Sequence, residues 1–378
     1  MSRLHRYRWL GVILGFGIVT AFASQASAEP IPEKYQKHID LGLEWLKKNQ
    51  AKDGSWSANG QNPMSMTGMA GLALLCEGST VAQGKYRDNI RKAVDFLVSR
   101  AQKGGGRNGL IGNPDNPGET GRYMYGHGFA LLFLASAYGE DQDKESREKL
   151  REVLKRAVEY AGSAQSTQGG WFYTSKTEGH DSDEGSVTVT QMQALRACRD
   201  AGIPVPKEIV TKGYDYLKKS TTVDGGVVYS LGRGGMGAPA GGGRPALTAA
   251  AIACFFASGN YNDENVKKWF KFCEKSIPIT GPGGGGVRLG FDEYTHFYYA
   301  PSIYFLGEDG WKKMFKTEIA SITWKKYKES FFEGACRAQG ADGGWTGTGS
   351  WGAGPIYSTA VYCVIMQLDN NCLPVFTR

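Results

Sequence analysis

The 378-residue chain has no strong excess of charge of either sign, with 44 Lys and Arg against 37 Asp and Glu. A net charge of +7, scattered along the chain, does not form the basic stripe that phosphate backbones require, so nucleic acid is not an expected partner. Only five histidines are present, and no grouping of Cys and His has zinc spacing. No metal or other cofactor is therefore expected. No P-loop, Rossmann fingerprint or hydrolase serine motif stands out. Past residue 28 no integral membrane segment is expected, because no apolar run approaches the ~20 residues of a span.

The first 28 residues combine a basic start (MSRLHRYR), an apolar run (WLGVILGFGIVTAF) and the small-residue site Ala26-Ser27-Ala28. That order is the signature of a secretory signal peptide, with an uncleaved anchor as the alternative, and the mature chain is expected to be exported: periplasmic, cell-surface or secreted. Loss of Arg3, Arg6 and Arg8 lowers the charge to +4. All seven cysteines lie in the mature part, an odd number that leaves at least one unpaired or paired between chains. Most sit in apolar helical contexts and read as core residues; Cys363 with Cys372 is the pair to test for a bridge.

Glycine is abundant, at 53 residues, and clustered. The clusters fall at Asp53-Gly54, Gly104 to Gly106, Gly169-Gly170, Gly225-Gly226, Gly283 to Gly286 and Gly343-Gly344, about 50 to 65 residues apart. A charged amphipathic segment precedes each one, as in YQKHIDLGLEWLKKNQ, where Ile39, Leu43 and Leu46 recur at helical spacing. A segment nearly free of charge follows each one, such as SMTGMAGLALLCEG or IYSTAVYCVIMQL, the pattern of a helix buried on every face. Six wet helices alternating with six buried ones predict an inner ring inside an outer ring. The last buried segment is as apolar as the middle ones, which favours closure over an open solenoid with polar caps. Residues 29–378 are thus expected to be a single all-α domain of six helix-pair repeats.

The motif Gln-x-x-Asp-Gly-Gly/Ser-Trp is complete at Gln50 to Trp56 and Gln339 to Trp345. At Gln165 to Trp171, Gln168 replaces the Asp, and Thr221 to Val227 keeps the Asp and Gly alone. A motif of this kind, placed at helix ends around a ring, resembles the repeat of the terpene cyclase and protein prenyltransferase superfamily, squalene cyclases included. The resemblance implies an (α/α)6 toroid with a ligand in its central cavity. The residues themselves suit a fastener: glycine permits a left-handed turn, Gln and Asp bond loose helix ends, and Trp covers the turn.

Four constellations precede buried segments. In the first, Asp181-x-Asp183-Glu184 resembles the Asp-x-Asp-Asp acid of class II terpene cyclases, where crowding keeps one carboxyl protonated; the bland alternative is helix capping. Asp183 is the expected acid, with Asp181 and Glu184 beside it. In the second, His127 lies between Gly126 and Gly128 next to Tyr125 and suits acid/base work; the bland alternative is a satisfied structural histidine at a helix start. The third, Phe291 to Tyr299, brings together Asp292, Glu293, Tyr294, His296 and Tyr298, able to line a pocket or hold a cationic centre. The fourth is the glycine-rich loop from Gly232 to Arg244, where Arg244 could meet an anion.

The resemblance is incomplete. The Asp-x-Cys pair of a zinc prenyltransferase, the Asp-Asp-x-x-Asp of a magnesium-diphosphate site and the Gly-Cys-Gly-Glu-Gln of a thioester toroid are all missing. The expectation is an exported cyclase-like or prenyltransferase-like toroid that binds a small apolar or polyprenyl ligand. The alternatives are a non-catalytic cell-surface module binding glycan or protein, and a glycan lyase or hydrolase in which His127, His296, Asp292 and Tyr294 carry acid/base work.

Overall fold

The computed structural model describes residues 30–139, 143–179, 181–231, 242–257, 259–282, 291–317, 319–347 and 353–373. The expected signal peptide, His180, the cluster at 283–286 and the glycine-rich loop up to residue 241 lie outside the described residues.

The chain alternates amphipathic and buried helices. The amphipathic ones are α1 (Glu33–Lys48), α3 (Arg87–Ser99), α5 (Lys144–Ala164), α7 (Lys207–Lys219) and α9 (Glu264–Ser276). The buried ones that follow them are α2 (Pro63–Cys76), α4 (Tyr123–Tyr138), α6 (Gly185–Asp200), α8 (Pro245–Ala257) and the part of α10 (Asp292–Phe315) that precedes its break at Gly307. A last outer segment consists of α11 (Trp324–Tyr327), a π turn over Lys328–Phe332 and α12 (Glu333–Ala338), and leads to the buried α13 (Gly354–Met366). Within α1, Ile39, Leu43 and Leu46 are buried while the lysines stay wet; in α2 and α4 burial covers nearly every position. The alternation read from the sequence is therefore a division into two layers.

The buried helices close a ring. α2 packs on α4, α4 on α6, α6 on α8, α8 on α10, α10 on α13 and α13 back on α2. They run parallel. A side-chain carbon on Gly68 or Gly71 of α2 would strike Phe129 or Phe133 of α4 in step, and Asn370 and Gln367 beyond α13 donate to the carbonyls of Cys76 and Ala73 at 3.1 Å. The N-terminal ends of the inner helices thus share one end of the ring. Lower down, Phe129 and Phe297 meet edge to face across the centre, 6.4 Å apart.

The glycine motifs are fasteners between repeats. Trp56, Trp171 and Trp345 are buried, and each indole N–H donates to the carbonyl of Leu46, Ala161 or Ala335 at the end of the preceding outer helix, at 2.7–2.8 Å. The motif glycines Gly54, Gly169, Gly225 and Gly343 have φ between +90° and +95° and abut the carbonyls of Lys92, Lys212, Lys268 and Leu41 on the next outer helix. The second repeat departs from the expected position. There it is Gly109, at φ +92° against the Arg156 carbonyl, that occupies the fastening turn, while a methyl group on any of Gly104 to Gly106 would meet nothing within 4 Å. The triple glycine drew attention by its length, but close approach needs only one glycine.

Candidate functional site

The N-terminal ends of α4, α6, α10 and α13 bring tyrosines together around one carboxyl group. Glu184, fully buried, is the N-cap of α6 and accepts from the backbone N–H of Val187 at 2.6 Å and of Ser186 at 3.0 Å. The Ser186 hydroxyl donates to both its oxygens at 2.6 and 2.7 Å, and the Tyr125 hydroxyl donates at 3.3 Å. Tyr294 reaches across from α10 to the Ser186 carbonyl at 3.4 Å, and its ring meets Tyr298 edge to face at 4.9 Å. Tyr173 and Tyr229 share a hydroxyl contact, and Tyr173 lies 5.8 Å from Tyr125 with the Arg122 guanidinium 4.9 Å over its ring. From the other side come Glu293, buried on α10 and bonded by the Tyr362 hydroxyl at 3.4 Å, and Tyr357 on α13.

Tyr125, Tyr173, Tyr229, Tyr294 and Tyr357 each keep part of their surface accessible, whereas Tyr298 and Glu184 are closed off below them. Burial nevertheless pushes the phenols of Tyr125, Tyr294 and Tyr357 well above the usual tyrosine value. Side chains that keep some access yet are deeply surrounded line a recess. Burial also raises the proton affinity of Glu184; the Ser186 and Val187 bonds and the Tyr125 bond oppose that rise without cancelling it. The recess can therefore offer aromatic faces and a carboxyl that holds its proton to higher pH than an exposed one.

The residues expected to do chemistry divide sharply here. Tyr125 lines the recess, Glu184 and Tyr298 are buried directly beneath it, and Asp292 opens α10, partly buried, next to Glu293. Asp183, the expected acid, turns outward. It is 2% exposed and accepts from Tyr216 on α7 at 2.9 Å, from the Leu231 N–H at 2.8 Å and from Ser230 at 3.1 Å. Asp181 is exposed and holds the Thr167 N–H and hydroxyl, both at 2.8 Å. Asp53 and Asp342 brace their own turns at a different place, accepting from the N–H groups of Ser55 and Gly344. Asp181 therefore ties its own loop to the Gln165 turn at Thr167.

Both expected histidines also face outward. His127 is fully buried, its Nδ1 accepts from the Ile111 N–H at 3.1 Å, and its ring stands 5.2 Å from Tyr160 on α5. In four other repeats the equivalent N–H (Trp56, Trp171, Val227 or Trp345) donates to a threonine hydroxyl, that of Thr67, Thr188, Thr248 or Thr359. His127 takes the place of that threonine. His296 packs on Phe331 with ring centroids 4.5 Å apart and bonds Tyr327 through Nδ1 at 2.9 Å. Burial lowers the pKa of His127 to about 4 and that of His296 to about 3, so both are neutral at pH 7. Arg244 has an exposed side chain; its backbone N–H bonds Val227 and its carbonyl accepts from Thr248, so its described role is to start α8.

Tyr173, Tyr229 and Tyr357 were not expected from the sequence. The first two lie two residues after Trp171 and Val227, on equivalent post-fastener turns, and that repeated position was the available signal. Among the described residues no group of three or more His, Cys, Asp or Glu is placed to hold a metal ion, and no helix is long and apolar enough to cross a membrane.

This chain has the fold of an α/α toroid. No protein-family model and no curated protein matches it. Solved structures do. The α-1,6-mannanase GH76A of Salegentibacter sp. HEL1_6, as an inactive variant with α-1,6-mannotetrose, is 10% identical over 89% of this chain and 99% of its own, with a TM-score of 0.60. A D-mannose isomerase is 10% identical over 91% and 99%, with a TM-score of 0.57. The type II terpene cyclase MstE from Scytonema, with geranylgeranyl dihydroxybenzoate, is 14% identical over 90% and 98%, with a TM-score of 0.53. At such identities the likeness is one of architecture, shared by the toroid that the repeat motif implied and by glycan enzymes.

Proposed function

We propose that the tyrosine-lined recess binds an apolar ligand of isoprenoid type in an exported protein, and that Glu184 is its acid/base group. The observation that carries this reading is the fully buried Glu184 carboxyl under the Tyr125 hydroxyl, with raised proton affinity and aromatic faces around it. Aromatic faces pack against an apolar chain and stabilise cationic character developing on it, and a carboxyl that retains its proton can deliver it. The terpene cyclase bound to its geranylgeranyl substrate supports this choice of ligand class. Export rests on the leader-like first 28 residues.

A second reading, glycan hydrolysis, is favoured by one feature. Glu293 provides a second buried carboxylate at the same end of the ring, and glycosidases work with two. The mannanase neighbour is an inactive variant with two consecutive aspartates replaced. The test is incubation of the purified protein with geranylgeranyl dihydroxybenzoate and, separately, with α-1,6-mannotetrose, following tyrosine and tryptophan fluorescence for binding and mass spectrometry for products. Binding and conversion of the isoprenoid, with conversion lost in Glu184→Gln, is the expected result. Cleavage of the glycan gives the second reading, binding without conversion gives a non-catalytic module, and no binding of the isoprenoid refutes the first.

A further inference from the structure

We propose that Cys76 and Cys372 form a disulfide that closes the ring covalently. Cys76 is the last residue of α2, the first inner helix, and Cys372 follows shortly after α13, the last. The chain between them is already held on α2: Gln367 Nε2 donates to the Ala73 carbonyl and Asn370 Nδ2 to the Cys76 carbonyl, both at 3.1 Å. Asn371 then turns the chain back in the left-handed region, at φ +51°, with its side chain fixed by the Tyr304 hydroxyl at 2.7 Å. The turn brings the Cys372 Sγ over the end of α2, 3.8 Å from where a side-chain carbon on Gly78 would stand.

Each of these observations concerns position, and together they place the two thiols at one seam. Burial and the neighbouring Cys372 and Cys363 sulfurs raise the Cys76 thiol well above the usual range, which agrees with a shared site. Cys363, the partner for Cys372 read from the sequence, is also near Cys76, but it is buried with its Sγ packed against α1, 2.7 Å from where a methyl on Gly42 would be.

The chemistry needs an oxidant, and a small-molecule disulfide such as oxidised glutathione suffices. Cys372 is exposed and Cys76 buried, so Cys372 reacts first. Its thiolate attacks one sulfur of the small disulfide and expels the other as a thiolate, leaving a mixed disulfide on Cys372. The Cys76 thiolate then attacks the Cys372 sulfur and expels the second small thiol. Two protein thiols lose two protons and two electrons, and one small disulfide becomes two thiols. Because the link spans nearly the whole ring, its effect on the unfolded chain lies at the upper end of what disulfides achieve.

The experiment folds the full chain in a glutathione redox buffer, alkylates free thiols and maps peptides without reduction. The expected result is a cross-linked peptide joining Cys76 to Cys372, the remaining five cysteines alkylated, and a Tm about 5 °C above that of the reduced protein. Cys372→Ser, at an exposed position, and Cys76→Ala should each abolish both the cross-link and the redox-dependent shift. Seven alkylated cysteines after oxidation, or a link from Cys372 to Cys363, overturns the proposal.

Discussion

The Gln339 side-chain amide donates to the backbone carbonyl of His38 at 2.9 Å, joining residues 301 apart in the chain. The same amide donates to Gly343 within its own turn at 2.7 Å. Gln50 repeats the arrangement on Gly54 and Asn89, and Gln165 repeats it on Gly169 and Ile209. Every motif glutamine therefore ties its own turn to the next outer helix. At Gln339 the next helix is the first one, so one local device both builds the ring and closes it.

Replacing Gln339 with Ala should cost about 1–3 kcal/mol, since two backbone carbonyls lose their partner. Gln50→Ala loses the same number of bonds and should cost a similar amount. The two should differ in where the ring loosens: hydrogen exchange should rise in α1 for Gln339→Ala and in α3 for Gln50→Ala. Unchanged protection of α1 in Gln339→Ala would show that helix packing alone closes the ring.

Asp183 and Glu184 are neighbours in sequence with opposite duties, and substitution should separate them. Asp183→Asn keeps an acceptor but disturbs three donors in a buried place, so stability should fall by about 2 kcal/mol with ligand conversion little changed. Glu184→Gln should cost about 1 kcal/mol through the α6 cap and reduce conversion at least about 100-fold. With its proton affinity raised, Glu184 should lose acid activity only as pH climbs above the ordinary carboxylate range. Thermal denaturation and a pH–rate profile on both variants check this, and the reverse assignment of losses would restore Asp183 as the acid.

His127 makes the fold sensitive to acid. Its pKa is about 4 when folded and about 6.5 when unfolded, so the folded state favours the neutral ring. The sign follows: this stabilisation is fully present above pH 6.5 and is lost as pH falls toward 4, on the order of 3 kcal/mol in all. Threonine occupies the equivalent place in four other repeats. His127→Thr should therefore keep the bond from Ile111, lose about 2 kcal/mol at neutral pH to the cavity beside Tyr160, and flatten the dependence of Tm on pH between 6.5 and 4. An unchanged slope would mean that other groups, His296 among them, dominate acid unfolding.

The layers and the fasteners were legible because they depend on periodic patterns: apolar spacing separates inner from outer helices, and Gln, Gly and Trp recur at fixed offsets. The site was legible only in part. Asp181, Asp183 and Glu184 all precede α6, yet one bonds the Gln165 turn, one bonds α7 and one faces the recess. Residues this close in sequence are separated by backbone direction at a helix start, which no local pattern specifies. For His127 the sequence left a structural and an acid/base reading open, for a related reason. Flanking glycines suggested access to a ligand, but they serve helix contact: a methyl on Gly126 would strike Met64, and one on Gly128 would strike Thr190.

Pattern and packing part company again in the second repeat. Gly109 stands at φ +92°, and a methyl there would lie 2.1 Å from the Arg156 carbonyl oxygen, a backbone atom that cannot swing aside. Gly109→Ala should therefore cost more than about 3 kcal/mol, from strain at positive φ together with displacement of α5 from its turn. Gly106 belongs to the more conspicuous triple glycine but has open space around it and no positive φ. Gly106→Ala should stay within about 0.5 kcal/mol of the parent protein. Denaturant unfolding of the two variants decides between them: a larger loss at Gly106 would return the fastener to the triplet, and near-equal small losses would mean that this repeat is not held through its glycine turn.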